Sequence, residues 1–356
     1  MFDDLVLNVP LLRRRVPNLT AAARSVGLRP ATVSNLCTGK IPIGRAEVHT
    51  LVALATLAGC SLDELVLRGG LGGQIETGVK VLDLAAPLVR GGTVGLVGRA
   101  GLGQLVLIME LLYRLRTRPD FATILWLPAE PLPAADEVLP QASATGTTLD
   151  EVYGLVEASR AERDVLLAAD RTTVLSGELL ALRTQLQEPG SRPITVALFD
   201  LRGEASIEEA PYGPLDTRWV FDPDLAARRL YPAVDPVSST SVLLEGAQLE
   251  ASHLTLAART RALLRRYREL RPLVPVHGLE RFPPAEQLTF QRGEHLEAFL
   301  SQPLFAAEAH TKRPGRWVSV AETLADVRRI LDGGADTLPV DALHDIGGLV
   351  EAEGQS

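Results

Sequence analysis

Apolar and polar positions fall into three regimes along the 356 residues. Over residues 19–66 apolar side chains recur at helical spacing. Val33 and Leu36 repeat at i, i+3, while residues 46–58 and 61–66 read as further short helices, the last one capped by Ser61. From Thr93 onward the pattern changes to short unbroken apolar runs, 93–97, 122–127 and 194–198, which predict strands covered on both faces. Long amphipathic stretches follow: residues 253–273 and 319–331 read as helices, with Ser319 and Glu322 forming a capping box. Residues 128–144, rich in Pro and Ala, read as a loop, and the glycine-rich segment RGGLGGQ, 68–74, marks a boundary. The expected organisation is a small all-α domain over 1–67, a linker over 68–75, an α/β domain over 76–245 and a helical C-terminal domain over 246–356.

The stretch that organises the rest is GTVGLVGRAGLGQLVLIMEL, residues 92–111. A buried strand, three glycines (Gly98, Gly101, Gly103) and an apolar helix from Gln104 make a phosphate-cradling turn. Glycine lets successive backbone N–H groups face inward, and the helix N-terminus adds its positive dipole. The spacing matches G-x-x-x-x-G-K-[ST] at Gly98 and Gly103, but Gln104 stands at the lysine and Leu105 at the hydroxyl residue. A lysine about 4 Å from one phosphate charge contributes roughly 4 kcal/mol at an effective dielectric near 20, close to a thousandfold in affinity. Gln104 cannot neutralise charge, and Leu105 cannot hold Mg²⁺. The loop is therefore expected to take ATP or ADP weakly at best, without a firm Mg²⁺ site; a glycine loop kept only for its turn is the plainer alternative. Asp200, closing the apolar run 194–198 through Phe199, fits the carboxylate that meets Mg²⁺ through water, or else a turn cap.

In LTAAARSVGLRPATVSNLCT, residues 19–38, two short helices break at Gly27, with Ala23 small at their crossing. The set Ala23, Gly27, Val33 and Leu36 has the spacing of a helix-turn-helix. The segment resembles the DNA-binding domain of lambda-repressor-like and Cro-like regulators, and ATVSNLCTGK resembles the start of sugar-operon repressors. A second helix lying in a major groove would present Arg29, Thr32, Ser34, Asn35 and Thr38. Asn35 would then read adenine and Arg29 guanine or phosphate, with Lys40 and Arg45 on the backbone. Plain solvated surface, or a surface for protein partners, remains the competing reading.

Residues 76–115, LYPAVDPVSSTS at 230–241 and FLSQPLFAAEAHTKRPGRWV at 299–318 together resemble the catalytic beta subunit of rotary ATP synthases. This resemblance covers about four fifths of the chain. It implies a P-loop (RecA-like) parallel-sheet core with a C-terminal helical region, and places Tyr231 where an adenine ring stacks. It also places Glu130 at the water-activating glutamate, although Pro131 follows where an arginine is expected. Leu304 and His310 replace aromatic residues on the opposite wall, so a purine would be held loosely. The family's N-terminal barrel is replaced by the helix-turn-helix, and its acidic rotor-pushing loop is reduced to LERFPPAE, 279–286.

Net charge is −8, but residues 1–70 carry eight Lys/Arg against five Asp/Glu, +3, leaving −11 for the remainder. The basic head suits an anionic partner. An arginine-rich stripe over 253–273 (Arg259, Arg261, Arg265, Arg266, Arg268, Arg271) could also touch nucleic acid, though a solvated or neighbour-facing helix explains it. No apolar run approaches the roughly 18 residues of a membrane span, so a cytoplasmic protein is expected. Cys37 and Cys60 have no partner at metal-ligand spacing and read as unbridged thiols; no metal site is expected. The reading that follows is a double-stranded-DNA-binding regulator in which a degenerate ATP-synthase-like module serves as homo-oligomerisation scaffold or nucleotide sensor, with possible contacts to other P-loop subunits. An ATPase in which Arg99 replaces the missing lysine is the enzymatic alternative. A non-enzymatic assembly factor is the third.

Overall fold

The five residues Thr93–Val97 form a fully buried strand, as their unbroken apolar run requires. The computed structural model describes residues 5–16, 19–37, 40–41, 43–68, 72–128, 135–186, 192–208, 211–245 and 248–354. It divides into two compact units, Met1–Gly73 with Val242–Leu249, and Gln74–Ser241 with Glu250–Ser356.

In the first unit, β1 (Leu5–Leu7) leads to α1 (Val9–Arg15), α2 (Leu19–Ser25), α3 (Pro30–Cys37), α4 (Val48–Ala58), α5 (Leu62–Leu65) and β2 (Val66–Arg68). Gly27 makes the turn between α2 and α3 at φ 76, a left-handed value that glycine adopts without a Cβ clash. Ala23, Val33 and Leu36 are buried in a core that also holds Leu12, Leu54 and Leu65. The expectation of an all-α unit is corrected by β1, which pairs antiparallel with β2, Leu5 opposite Arg68 and Leu7 opposite Val66. Three-residue strands from opposite ends of a unit leave no period in either stretch, so the pattern of apolar positions could not reveal them.

The chain enters the second unit within β3 (Gly72–Ile75), which pairs with β4 (Leu88–Arg90) across α6 (Lys80–Ala85). Part of the expected linker is thus strand. There follow β5 (Thr93–Val97), α7 (Gln104–Arg116), β6 (Phe121–Trp126), α8 (Ala135–Val138), β7 (Ala144–Gly146), α9 (Leu149–Arg160) and β8 (Asp164–Asp170). Next come α10 (Thr172–Leu175), α11 (Glu178–Gln185), β9 (Ile194–Phe199), β10 (Thr217–Val220), α12 (Pro223–Ala227) and β11 (Thr240–Ser241). The main sheet has the order β11-β10-β5-β9-β8-β6-β7 and is parallel except at its β11 edge. Every residue of β6 and β8 is buried, as a parallel sheet covered on both faces demands. This is the P-loop-like α/β core that the sequence implies.

The chain ends in α13 (Ala251–Leu270), α14 (Val274–His277), α15 (Pro284–Phe299), α16 (Glu308–Thr311), α17 (Val320–Asp332) and α18 (Leu349–Glu353). These helices were expected as a separate domain; they instead belong to the same compact unit as the sheet. The reason is a shared core: Leu264, Phe290, Leu296 and Ile330 join the cluster of Leu107, Leu111 and Phe121. The capping box at α17 is half formed: Ser319 accepts from the Glu322 amide at 3.2 Å. A complete box stands at α9 instead, between Thr148 and Glu151.

Several buried charged groups of this unit are tied to named partners, while the buried Thr260 and Thr323 hydroxyls and His295 Nδ1 have no hydrogen-bond partner among the described residues. Arg114 Nε donates to Glu110 Oε1 at 2.5 Å, and Glu110 also accepts from the Phe305 and Ala306 amides. Lys80 Nζ donates to the Ile346 and Gly347 carbonyls at 2.8 and 3.0 Å and lies 4.0 Å above the Phe299 ring. Burial pushes its amine down to about 7, opposed by the carboxylates of Asp326, Glu351, Asp345 and Glu322. Asp83 accepts from Thr77 and from the Gly78 amide, yet burial lifts it to about 7.

Among the described residues no helix is long and apolar enough to cross a membrane.

Candidate ligand site at the glycine loop

β5 delivers the glycine loop to the C-terminal edge of the parallel sheet, the edge at which such folds bind ligands. Gly101 and Gly103 are left-handed, φ 84 and 98, and Gly103 opens α7 with no side-chain cap, so its first-turn N–H groups remain available to an anion. Gly98 is needed for a different reason. A Cβ there would lie 2.7 Å from Phe221 Cβ and 2.9 Å from Gln104 Nε2.

Gln104 is buried, and its Nε2 donates to the Arg99 carbonyl at 2.7 Å. The residue at the lysine position thus bonds to its own loop. Leu105 is half-buried and packs on the main core. The Arg99 side chain is exposed.

Asp200 lies at the end of β9 as expected, but both its oxygens accept backbone amides, Oδ1 from Arg202 at 2.9 Å and Oδ2 from Ala205 at 2.6 Å. That geometry is the turn cap of the plainer reading. One strand further on, β8 ends in a second carboxylate, Asp170, which accepts from Thr172 at 2.9 Å and from Leu201 at 3.3 Å. Asp170 fits the same description as Asp200, and sequence reasoning missed it. Its signal was present in DVLLAAD, an apolar run closed by Asp. The two carboxylates, with Arg171, Arg202 and Glu204, line a cavity of about 160 Å³. Arg171 is held there by Glu204 at 3.0 Å and Glu208 at 2.5 Å. The turn after β9 also abuts the glycine loop: a Cβ on Gly203 would lie 2.3 Å from the Ala100 nitrogen. Glu130, with Pro131, lies outside the described residues.

A larger cavity of about 420 Å³ brings together Gly101, Gly103, Val106, Arg229, Tyr231 and Leu304. The structure thus gathers Tyr231, itself well exposed, with two loop glycines, although the two are more than a hundred residues apart in the chain. Leu304 lines this cavity; His310 is not among its lining residues, although Ala307 and Thr311 on either side are. Gln104 and Leu105 do not line it.

In the first unit Arg29, Ser34, Lys40 and Arg45 are exposed and Thr32 and Asn35 half-buried, while Thr38 lies outside the described residues. Arg29, Thr32 and Arg45 line a groove of about 450 Å³ with His49 and Thr50. Of the six arginines of the other basic stripe, on and just after α13, five are committed internally and Arg265 is exposed. Arg259 pairs with Asp332, Arg266 with Glu286, Arg268 with Asp235 and Arg271 with Asp224, and Arg261 donates to the Ala85 and Ser239 carbonyls. Among the described residues no group of His, Cys, Asp and Glu is arranged to hold a metal ion, and Cys37 and Cys60 are not joined in a disulfide.

These features define a mixed α/β fold whose mostly parallel seven-stranded sheet is consistent with a P-loop-like core. No protein-family model matches the sequence. Among solved structures it is similar to an ATP synthase subunit, NeqB, from Nanoarcheaum equitans: 17% identity and TM-score 0.60, covering 76% of this chain and 78% of that one. The chain has an ATP-synthase-like fold, and at this identity the likeness concerns the fold alone.

Proposed function

We propose that the second unit is a non-hydrolysing relative of ATP synthase subunits that responds to a bound ligand, and that the first unit is a head that binds duplex DNA. The observation that carries the first half is the Gln104 to Arg99 bond, which turns the residue at the lysine position back on its own loop, while Leu105 offers no hydroxyl for Mg²⁺. The second half is supported by the positive-φ turn at Gly27, the buried Val33 and Leu36, and Arg29 and Arg45 on one groove. A single head grips DNA weakly, so the body would serve to present several heads at once as a homo-oligomer. Titration calorimetry with ATP tests the first half: binding is weak, and Mg²⁺ does not strengthen it. Fluorescence anisotropy with duplex DNA tests the second, binding weakening steeply with salt.

The likeness to an ATP synthase subunit favours a second reading, an ATPase, in which Arg99 supplies the missing charge. A Mg²⁺-dependent gain in ATP affinity that disappears in Arg99→Ala would select it.

A further inference from the structure

Three non-glycine residues among those described hold left-handed backbone: Arg229 at φ 60, Lys312 at φ 58 and Asp345 at φ 51. Asp tolerates this region; Arg and Lys gain nothing from it. All three gather at the 420 Å³ cavity, where Arg229 and Asp345 are lining residues and Lys312 sits between the lining residues Thr311 and Arg313. Strained backbone of this kind concentrates at ligand sites, where the fold holds it in place.

Arg229 follows α12, whose end is closed by Leu230 N donating to Leu225 O at 2.9 Å and Arg229 N to Ala226 O at 3.0 Å. Glycine favours that position, so the arginine is kept for its side chain rather than its backbone. The other charged side chains that line the cavity pair with each other. Arg313 pairs with Asp345 at 2.9 Å. The Gln302 amide is used up on Gly78 O, Arg316 O and Lys80 N. Arg229 is exposed and, among the described residues, has no acidic partner within salt-bridge distance. The remaining walls, Val106, Tyr231, Pro232 and Leu304, are apolar or aromatic.

We infer that this cavity binds a small planar apolar compound bearing one anionic group, a carboxylate, sulfonate or monophosphate, with its ring against Tyr231 and its charge on Arg229. The inference extends the reading of the second unit as a ligand-responsive module without turnover.

The test uses two dyes on the full chain: 1-anilinonaphthalene-8-sulfonate, which carries the anion, and N-phenyl-1-naphthylamine, which lacks it. Arg229→Gly weakens the sulfonate about tenfold or more, the effect of deleting one charge-assisted hydrogen bond, and leaves the neutral dye unchanged. The same variant melts at a higher temperature than wild type, because glycine relieves the left-handed strain; a residue with a purely structural role would lower it. Val106→Trp, at a partly exposed wall, removes both dyes and so places them in the cavity. Sulfonate affinity unchanged in Arg229→Gly, an equal weakening of both dyes there, or both dyes retained in Val106→Trp would overturn the inference. ATP turnover by the wild type would instead defeat the non-hydrolysing reading and leave the contrast between the dyes intact.

Discussion

Gln104 donates its side-chain amide to the main-chain oxygen of Arg99 across a 2.7 Å hydrogen bond, five residues back along the same loop. A lysine at this position would carry its charge to a phosphate; the amide closes the loop on itself instead. Gly98 leaves the amide its room: a Cβ there would lie 2.9 Å from Gln104 Nε2. The loop keeps its shape and its helix N-terminus while lacking the groups that handle charge.

Restoring those groups should therefore restore affinity. In Gln104→Lys combined with Leu105→Thr, calorimetry should show Mg-ATP bound at least tenfold more tightly, within the roughly 4 kcal/mol ceiling of one unscreened ion pair at a dielectric near 20. An unchanged dissociation constant would place the obstacle outside these two residues.

The close approach of Gly203 to the glycine loop makes that turn intolerant of a methyl group. Gly203→Ala must place a Cβ 2.3 Å from the Ala100 nitrogen at a backbone φ of 73. The destabilisation should reach about 2–3 kcal/mol in denaturant unfolding. Gly177, at φ 81 with nothing within 4 Å of an added Cβ, is the internal control; there Gly→Ala should cost only the left-handed penalty of about 1 kcal/mol.

Lys80 makes stability depend on pH with a definite sign. Its folded pKa is near 7 against the usual 10.5, so between these values the unfolded chain holds a proton that the folded chain lacks. Stability accordingly rises with pH across that window. Asp83 acts oppositely below it: raised from 3.8 to about 7, it holds a proton in the folded state, and its contribution falls as pH climbs from about 4 to 7. Melting temperatures measured from about pH 7 to 10 should rise in the wild type and stay flat in Lys80→Met. At the upper end of this range that variant should be less stable than the wild type, since the Ile346 and Gly347 carbonyls no longer have their donor. A rise that persisted in the variant would exclude Lys80 as its source.

For the head, removing one phosphate-binding cation should flatten the dependence of log affinity on log salt by about 0.9. Arg29→Ala with Arg45→Ala, two side chains on one groove, should therefore reduce the slope by close to two in anisotropy titrations with duplex DNA. A slope identical to wild type would remove this groove from the DNA-binding surface.

What the residues disclosed in advance was local. The strand Thr93–Val97 and the start of α7 at Gln104 stand where the apolar run and the glycines put them, because both depend on neighbours in the chain. Ser319 could be read as a cap for the same reason. The β1–β2 pair, joining residues 5–7 to 66–68, depends on contacts that no periodicity records. So do the burial of Lys80 against a loop more than 260 residues later and the meeting of Arg229, Lys312 and Asp345 at one cavity. Asp170 was legible but overlooked: its strand ends in Asp just as β9 leads into one, and only the order β5-β9-β8 shows both carboxylates at the same edge as the loop.

The most direct measurement is steady-state phosphate release from Mg-ATP by the purified full chain. The expected result is no release above that of an Asp170→Ala, Asp200→Ala double variant. Turnover in the ordinary enzymatic range, about 1 per second or faster, abolished by that double substitution, would contradict the account.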